Sequence, residues 1–227
     1  MLGPQVPQAI SLGALRRVLS EPRIEAYRLG PTESPDVVIG RYRWNIALSM
    51  SLYPVVQQLE VALRNNLHRA IAEKYRTDEW YDVTPALLTP REQEAVTQAK
   101  DELRKQGKPQ DPNRLVAELT LGFWTSLLSR DYERRFWPHL LAPAFPFIPR
   151  PQRTRATVAG RLHQIRLLRN RISHHEPIFK LNLPRLYGEI EETIRWMAPA
   201  LLQLLPVGEQ FRDIHARGPA AYALPLA

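Results

Sequence analysis

Toward the C-terminal end of the chain, residues 167–177 read LLRNRISHHEP. Proline cannot donate the next helical hydrogen bond and disfavours helix in the residue before it, so Pro177 predicts the end of a helix. The last turns of this helix carry a compact polar set, which consists of Arg169, Asn170, His174 and His175. Arginine binds phosphate and histidine exchanges protons near neutral pH. The stretch is therefore the first candidate for a functional site.

At 100° per residue, the helix that precedes Pro177 has one apolar face. Its members are Val158, Leu162, Ile165, Leu168 and Ile172. Arg169 lies within this face, whereas Asn170, His174 and Arg166 lie on the neighbouring side. Burying an unpaired charge costs several kcal/mol. Arg169 must therefore meet a carboxylate, reach a cleft or face another subunit, and Arg166 is a supporting candidate for the same site.

The fold class follows from the periodic apolar segments and the prolines between them. The 227 residues include 21 prolines and 10 glycines, and no segment alternates as a half-buried strand would. We expect an all-α fold, namely a helical bundle with an N-terminal helical extension and Pro-rich connections. The predicted organisation is an extension over residues 1–34, a helical domain over 35–206 and a C-terminal tail over 207–227.

Several segments carry more specific expectations. A helix is predicted from about Pro35 to about Tyr75, with Pro54 either kinking it or starting a second helix. Thr89-Pro90-Arg91-Glu92 has the form of a capping box with proline in the first turn. Residues 136–151 are rich in proline and aromatic residues, so we expect an ordered connection or a partner-facing loop there rather than a regular helix.

The formal net charge is +8 and the isoelectric point is near 10.0, which favours polyanionic partners. Residues 150–175 contain seven arginines and no acidic residue. RNA is the expected partner, with Arg155, Arg161 and Arg171 as contact residues. An arginine-rich proteome would produce the same charge without such a partner.

Cysteine is absent, so structural disulfides and cysteine-based zinc or redox sites are excluded. The N-terminal residues lack a basic region followed by a long apolar run, and no stretch approaches ~18 uninterrupted apolar residues. We therefore expect a cytoplasmic protein with no membrane partner. Adjacent residues on a helix point about 100° apart, so His174-His175-Glu176 is not expected to chelate a metal.

Residues 168–179, LRNRISHHEPIF, resemble the C-terminal signature of Abi-like (abortive-infection) proteins, which belong to the HEPN superfamily of helical ribonuclease-type domains. Residues 59–68, LEVALRNNLH, resemble the first helical signature of the same family, as do residues 43–48, RWNIAL. Two signatures in the right order are more specific than either alone. The resemblance covers roughly residues 36 to 205.

The resemblance implies a metal-independent endoribonuclease of an abortive-infection (phage defence) or toxin-like system. In that family an Arg-x4-6-His motif from each subunit of a homodimer meets in a shared cleft, and no cofactor is needed. Here Arg169 matches the motif arginine, Asn170 its polar neighbour and His174 the motif histidine. His175 is a substitute for that histidine, because the spacing varies in the family. Glu60 and Arg64 match the first signature in a supporting role, and an antitoxin or regulatory protein is a further expected partner.

Two alternatives remain open at this point. The chain is either a non-catalytic helical module of the same fold that binds RNA or protein, or a structural dimer. In the second case Arg169 pairs within its own subunit with an acid such as Glu60, and His174 only caps the helix end, where cations are favoured.

Overall fold

The computed structural model describes residues 11–84, 87–205, 208–224 and 226. All regular elements in these ranges are helical, and no strand is found there, as expected for an all-α protein. The α-helices are α1 Leu12–Leu19, α2 Glu21–Glu25, α3 Pro35–Tyr75, α4 Pro90–Lys105, α5 Pro112–Glu118, α6 Leu121–Ser126, α7 Trp137–Ala144, α8 Arg155–Ser173, α9 Leu183–Met197 and α10 Gly208–Arg217. Short 3-10 helices occur at Trp80–Asp82, Arg130–Tyr132, Arg150–Gln152, Pro199–Leu204 and Pro219–Tyr222.

The chain divides into two compact units. Unit 1 contains residues 1–54, 171–184 and 206–227, and unit 2 contains residues 55–170 and 185–205. The predicted N-terminal extension and the predicted C-terminal tail therefore both fall within unit 1. Helices α3 and α8 each contribute one part to each unit, with boundaries after Pro54 and after Asn170.

Helix α3 is continuous from Pro35 to Tyr75, and Pro54 lies inside it. Helix α3 therefore continues through Pro54, and the alternative of a second helix that begins at Pro54 was wrong. By length and composition α3 could also cross a membrane, since the mean hydropathy of its most apolar 18-residue window is 1.3. Core helices of soluble proteins meet the same criterion, and 44% of this window is buried here.

One expectation was wrong: residues 136–151 contain a regular helix, α7, over Trp137–Ala144. Pro138 is its second residue, where the missing backbone N–H would have no helical partner in any case. Pro143 is the residue before the last. The two prolines lie near the two ends of a short helix and do not prevent it from forming. Trp137 is buried, and its Nε1 donates a hydrogen bond of 2.7 Å to the Leu127 carbonyl.

The core of unit 1 contains Ile24, Tyr27, Val38 and Ile39, all at most 3% exposed. An ion pair lies at its edge. The buried guanidinium of Arg41 donates to both carboxylate oxygens of Glu33, at 2.6 and 2.9 Å, and to the Tyr27 carbonyl at 2.5 Å. These bonds and the backbone N–H of Leu29 lower the pKa of Glu33 to about 2. A charged pair thus joins the N-terminal helices to α3.

The C-terminal residues dock on helix α3 within unit 1. Trp44 Nε1 donates to the Ile214 carbonyl at 2.9 Å, and Arg43 Nη1 donates to the Tyr222 carbonyl at 2.6 Å. Gly40 permits this close approach, because a Cβ atom at that position would lie 3.2 Å from the Ala223 Cα and from the Pro219 carbonyl oxygen. Residues 208–224 of the predicted tail thus pack within unit 1.

Unit 2 is built around a group of buried aromatic rings. Trp80 packs edge-on against Trp124, with ring centroids 6.3 Å apart, and Trp124 packs against Phe123 at 5.1 Å. Buried Asn66 of α3 ties two loops to this unit, because its Nδ2 donates to the carbonyls of Ala144 and Met197 at 3.0 and 3.2 Å. Ala144 and Met197 are the last residues of α7 and α9, so Asn66 satisfies carbonyls at two helix C-termini that lack an intrahelical partner.

Candidate functional site

Helix α8 places the candidate arginine as the helical projection predicts. Val158, Leu162, Ile165 and Leu168 are at most 1% exposed and form its buried face. Arg169 lies next to that face with its side chain 35% exposed. Ile172, which was expected on the core face, is only half-buried, because the helix ends one residue later and its last turn lies at the surface of unit 1.

Arg169 is paired within unit 2. Its Nε donates a hydrogen bond of 2.8 Å to Oε1 of Glu60 on helix α3. Glu60 is 26% exposed, so the pair is partly solvated and contributes about 0–1 kcal/mol to stability. Neither Nη atom of Arg169 makes a hydrogen bond or ion pair to any residue that the structure describes. Glu60 therefore orients the guanidinium and leaves its outer nitrogens available.

The pair lies in a pocket of about 240 Å³ in unit 2, whose other polar lining residues are Arg64, Glu118, Thr120 and Trp124. The Thr120 hydroxyl is used by the fold, since it accepts a hydrogen bond from the Phe123 N–H. Two buried donors, Arg64 Nε and Trp124 Nε1, have no hydrogen-bond partner among the described residues. Buried N–H groups are normally paired. The pocket thus combines two arginines with two carboxylates, those of Glu60 and Glu118.

The motif histidine lies at the end of helix α8, in unit 1. Beyond Ser173 the chain forms a Schellman motif, in which the N–H of His175 bonds to the Ile172 carbonyl at 3.1 Å. The N–H of Glu176 bonds to the Arg171 carbonyl at 2.8 Å. His174 is therefore the last residue of the helical path. His175 occupies the left-handed position that usually holds glycine, with φ of 57°.

The two histidines differ in how the fold uses them. His174 is exposed, and its imidazole makes no hydrogen bond to the described part of the chain. The backbone of His175 is held by Arg23, whose Nη1 donates 2.8 Å to the His175 carbonyl. A left-handed conformation costs a non-glycine residue about 1 kcal/mol. The first histidine is thus free for proton transfer, and the second is fixed in a strained position.

Asn45 of helix α3 fixes the chain that follows the histidines. It is 3% exposed, and its Oδ1 accepts hydrogen bonds from the N–H groups of Ile178 and Phe179, at 2.7 and 3.2 Å. Its Nδ2 donates to the Tyr27 hydroxyl at 3.3 Å and to the Glu176 carbonyl at 3.4 Å. In the sequence, residues 43–48 (RWNIAL) resemble a family signature, but the pattern does not reveal that Asn45 anchors this later segment.

A groove of about 680 Å³ in unit 1 runs beside His175. Its lining residues are Tyr27, Tyr42, Asn45, Ile46, Ser49, Met50, Tyr53, Ile172, Ser173 and His175. Ile46, Met50 and Tyr53 are exposed by 43%, 70% and 60% and recur at helical spacing along α3. Their spacing is visible in the sequence, but their exposure is not, so sequence reasoning missed the groove.

The remaining predicted residues are distributed as follows. Arg155 bonds to the Leu128 carbonyl at 2.8 Å, and Arg161 bonds to Glu192 at 2.6 Å. Both side chains are less than 20% exposed, so much of each is used by the fold. Arg171 is exposed, whereas Arg166 and Asn170 are half-buried. Arg166, Arg169 and Asn170 belong to unit 2, and Arg171, His174 and His175 belong to unit 1.

A second polar cluster lies in unit 2, around His68 of α3. Trp80 Nε1 donates 3.0 Å to His68 Nδ1, and His68 Nε2 is 4.0 Å from Asp78. Because Nδ1 accepts a hydrogen bond, neutral His68 carries its proton on Nε2. Burial lowers the pKa of His68, and the nearby Asp78 carboxylate raises it by less. This cluster supports the buried Trp80 ring.

No group of three or more potential metal-ligating His, Asp or Glu side chains occurs in the ranges 11–84, 87–205, 208–224 and 226.

Comparison with known proteins finds no matching family model, no matching curated protein and no matching solved structure.

Proposed function

We propose that this chain is a metal-independent endoribonuclease of the HEPN, Abi-like type. The observation that carries the proposal is the state of Arg169. Its Nε is held by Glu60, its outer nitrogens are unused by the described chain, and it shares a pocket with two unpartnered buried donors. A phosphate in this pocket would accept hydrogen bonds from the outer nitrogens of Arg169, and arginine stabilises charge on phosphoryl oxygens.

The reaction uses the nucleophile of the substrate itself. The 2′-hydroxyl of RNA attacks the adjacent phosphorus, a new O2′–P bond forms and the P–O5′ bond breaks. One group removes the proton from the 2′-hydroxyl, and another delivers a proton to the leaving 5′-oxygen. The products are a 2′,3′-cyclic phosphate end and a free 5′-hydroxyl end. In this proposal His174 exchanges the proton and Arg169 stabilises the negative charge that develops on the phosphate.

The exposure of His174 supports this role. A histidine whose imidazole is exposed and not bonded to the fold is free to approach a substrate. Asn170 follows Arg169 as the polar neighbour of the motif. Arg64 supports the phosphate from within the same pocket as Arg169.

The proposal includes a homodimer, because the family resemblance implies that two motifs share one cleft. It also includes an abortive-infection or toxin-like role in the cytoplasm, under the control of an antitoxin or other regulatory partner. The dimer is tested directly by measuring the mass of the purified protein in solution. A monomer at micromolar concentration would contradict that part of the proposal.

A non-catalytic module that binds RNA or protein is the second candidate. Two observations favour it: Arg169 already has a carboxylate partner in its own subunit, and Arg155 and Arg161 are engaged by the fold. Such a module would bind RNA in a salt-dependent manner through exposed cations and release no products.

The deciding experiment incubates the purified protein with mixed RNA in the presence of a chelator and analyses the product ends. Cyclic phosphate ends from the wild type, and their loss in His174→Ala and in Arg169→Ala, are expected. Arg185→Ala is the matched control, since Arg185 is an exposed arginine in an i,i+4 pair with Glu189 on helix α9. Full cleavage by a His174→Ala, Arg169→Ala double variant would refute the proposal. Binding without cleavage by the wild type would favour the second candidate.

A further inference from the structure

His175 occupies a backbone position where glycine would be preferred. Its φ of 57° and the two bonds of the Schellman motif define a C′ residue, and the fold itself needs only its backbone there. His175 is nevertheless one of the residues that line the 680 Å³ groove of unit 1. A side chain kept at a position that penalises side chains points to a use for that side chain within the groove.

The lining of the groove has the composition of a site for a flat, partly polar ring. Helix α3 contributes the aromatic residues Tyr42 and Tyr53 and the adaptable apolar residue Met50. The end of helix α8 and the residues after it contribute Ser173 and His175, whose side chains are of types that bond to the polar edge of a ring. Ligand sites are commonly mostly apolar clefts of about 300–1,000 Å³ with a few polar groups.

The floor of the groove is rigid. Tyr27 is 1% exposed, stacks on Phe179 with centroids 5.7 Å apart, and meets Tyr42 edge-on at 5.0 Å. Asn45 cannot serve a ligand through its amide, because both its Oδ1 and its Nδ2 are bonded within unit 1. The groups available for a ligand are therefore the ring of Tyr53, the thioether of Met50, and the side chains of Ser173 and His175.

The position of the groove indicates which kind of ring would bind there. Ser173 and His175 stand on either side of His174 in the sequence, so a chain of nucleotides at His174 would bring a neighbouring base to the groove. Bases stack on aromatic side chains with little dependence on sequence. A second copy of the chain is the other candidate occupant of this groove, and the variants below distinguish the two.

We infer that the groove of unit 1 binds a nucleobase of the RNA substrate, stacked on Tyr53, with its polar edge directed to Ser173 and His175. The identity of the ligand as RNA rests on the proposed function. The base site itself does not, because it is built entirely from residues of unit 1 and can be measured without cleavage. This inference gives His175 a recognition role instead of the role of a substitute for His174.

The test titrates the full-length protein with adenosine, guanosine, cytidine and uridine, which lack phosphate and so do not use the arginine pocket. Binding is followed by nuclear magnetic resonance. Three variants are compared with the wild type: His175→Gly, Tyr53→Leu and Phe147→Leu. Phe147 is also exposed by 60% but lies in unit 2, so it is the matched control for Tyr53.

At least one nucleoside should bind, and Tyr53→Leu and His175→Gly should each weaken it by about tenfold, while Phe147→Leu leaves it unchanged. His175→Gly should unfold at the same or a higher urea concentration than the wild type, because glycine suits the left-handed position. A loss of nucleoside binding in His175→Gly would then not be a consequence of reduced stability.

Absence of nucleoside binding, or equal binding by all four proteins, would overturn the inference. So would a dimer that Tyr53→Leu converts to a monomer while nucleosides remain without effect, since the groove would then be an interface between copies. Nucleoside binding without RNA cleavage would refute the proposed ribonuclease and leave the base site standing. RNA cleavage without nucleoside binding would support the proposed ribonuclease and refute the base site.

Discussion

Arg169 on helix α8 and Glu60 on helix α3 are joined by one hydrogen bond, from Nε to Oε1 at 2.8 Å. Only one guanidinium nitrogen is used, so the contact both neutralises a charge beside the apolar face and aims the remaining nitrogens. A purely structural pair and an oriented catalytic arginine look the same in this respect. They differ in what happens when the carboxylate is replaced.

For this pair we predict that Glu60→Gln changes stability little and function strongly. The amide keeps an acceptor for Nε but removes the charge, and a pair that is 35% and 26% exposed should lose less than about 1 kcal/mol. Cleavage should fall by about tenfold or more, because orientation of the guanidinium is weakened. Urea unfolding and the rate of RNA cleavage are the measurements. Unchanged cleavage in a stable Glu60→Gln variant would show that the pair is structural only.

The unpartnered nitrogen of Trp124 predicts an unusual result. Trp124→Phe removes an N–H that has no acceptor, whereas Trp137→Phe removes one that donates 2.7 Å to the Leu127 carbonyl. Both rings are at most 5% exposed, so the loss of ring volume is similar. Trp137→Phe should therefore be more destabilising than Trp124→Phe by about 1–3 kcal/mol, the cost of an orphaned buried carbonyl. Urea unfolding of the two variants measures the difference, and equal losses would contradict the assignment.

Asn45 should be one of the most sensitive positions in unit 1. Asn45→Leu leaves the N–H groups of Ile178 and Phe179 without their acceptor, and we expect a loss of about 2–4 kcal/mol. Ser49, one turn further along the same helix, is half-buried and provides the control: Ser49→Ala should cost less than about 1 kcal/mol. Chemical denaturation compares the two. If Asn45→Leu were as mild as the control, the chain after His175 would have another anchor.

The burial of His68 makes stability depend on pH. Burial lowers the pKa of His68, so the unfolded chain binds a proton more readily than the folded one, and the stability contribution is complete above about pH 6.5. It is lost as pH falls through the folded-state value. His68→Asn keeps an acceptor for Trp80 but does not titrate. Its urea midpoint should therefore fall less than that of the wild type between pH 8 and pH 5, and parallel curves would refute this.

The all-α class and most helix positions follow from apolar periodicity and from prolines at helix ends. The structure has α3 over the predicted range, and α8 ends just before His174. Prolines inside helices were harder to interpret, because the sequence does not show that α3 continues through Pro54 and that α7 includes Pro143. The docking of residues 208–224 depends on Gly40, whose lack of a side chain matters only once the partner segment is known.

The candidate site, too, was predictable from the sequence only in part. Helical projection indicated that Arg169 needs a partner and included Glu60 as an option, and that ion pair is present. The pocket around Trp124 and the groove beside Tyr53 come from residues far apart in the sequence. No spacing rule connects Trp124 to Arg169, because their proximity depends on how helices α6 and α8 pack within unit 2.

The composition of unit 1 has a consequence for the order in which the protein matures. The segment that carries His174 and His175 belongs to a unit that also needs residues 214–223, which Arg43, Trp44 and Gly40 contact. The bonds from Trp44 and Arg43 to this segment span 170 and 179 residues of sequence. Unit 1 therefore cannot be completed until residue 223 has been synthesised, and its long-range contacts make it the slower of the two units to fold.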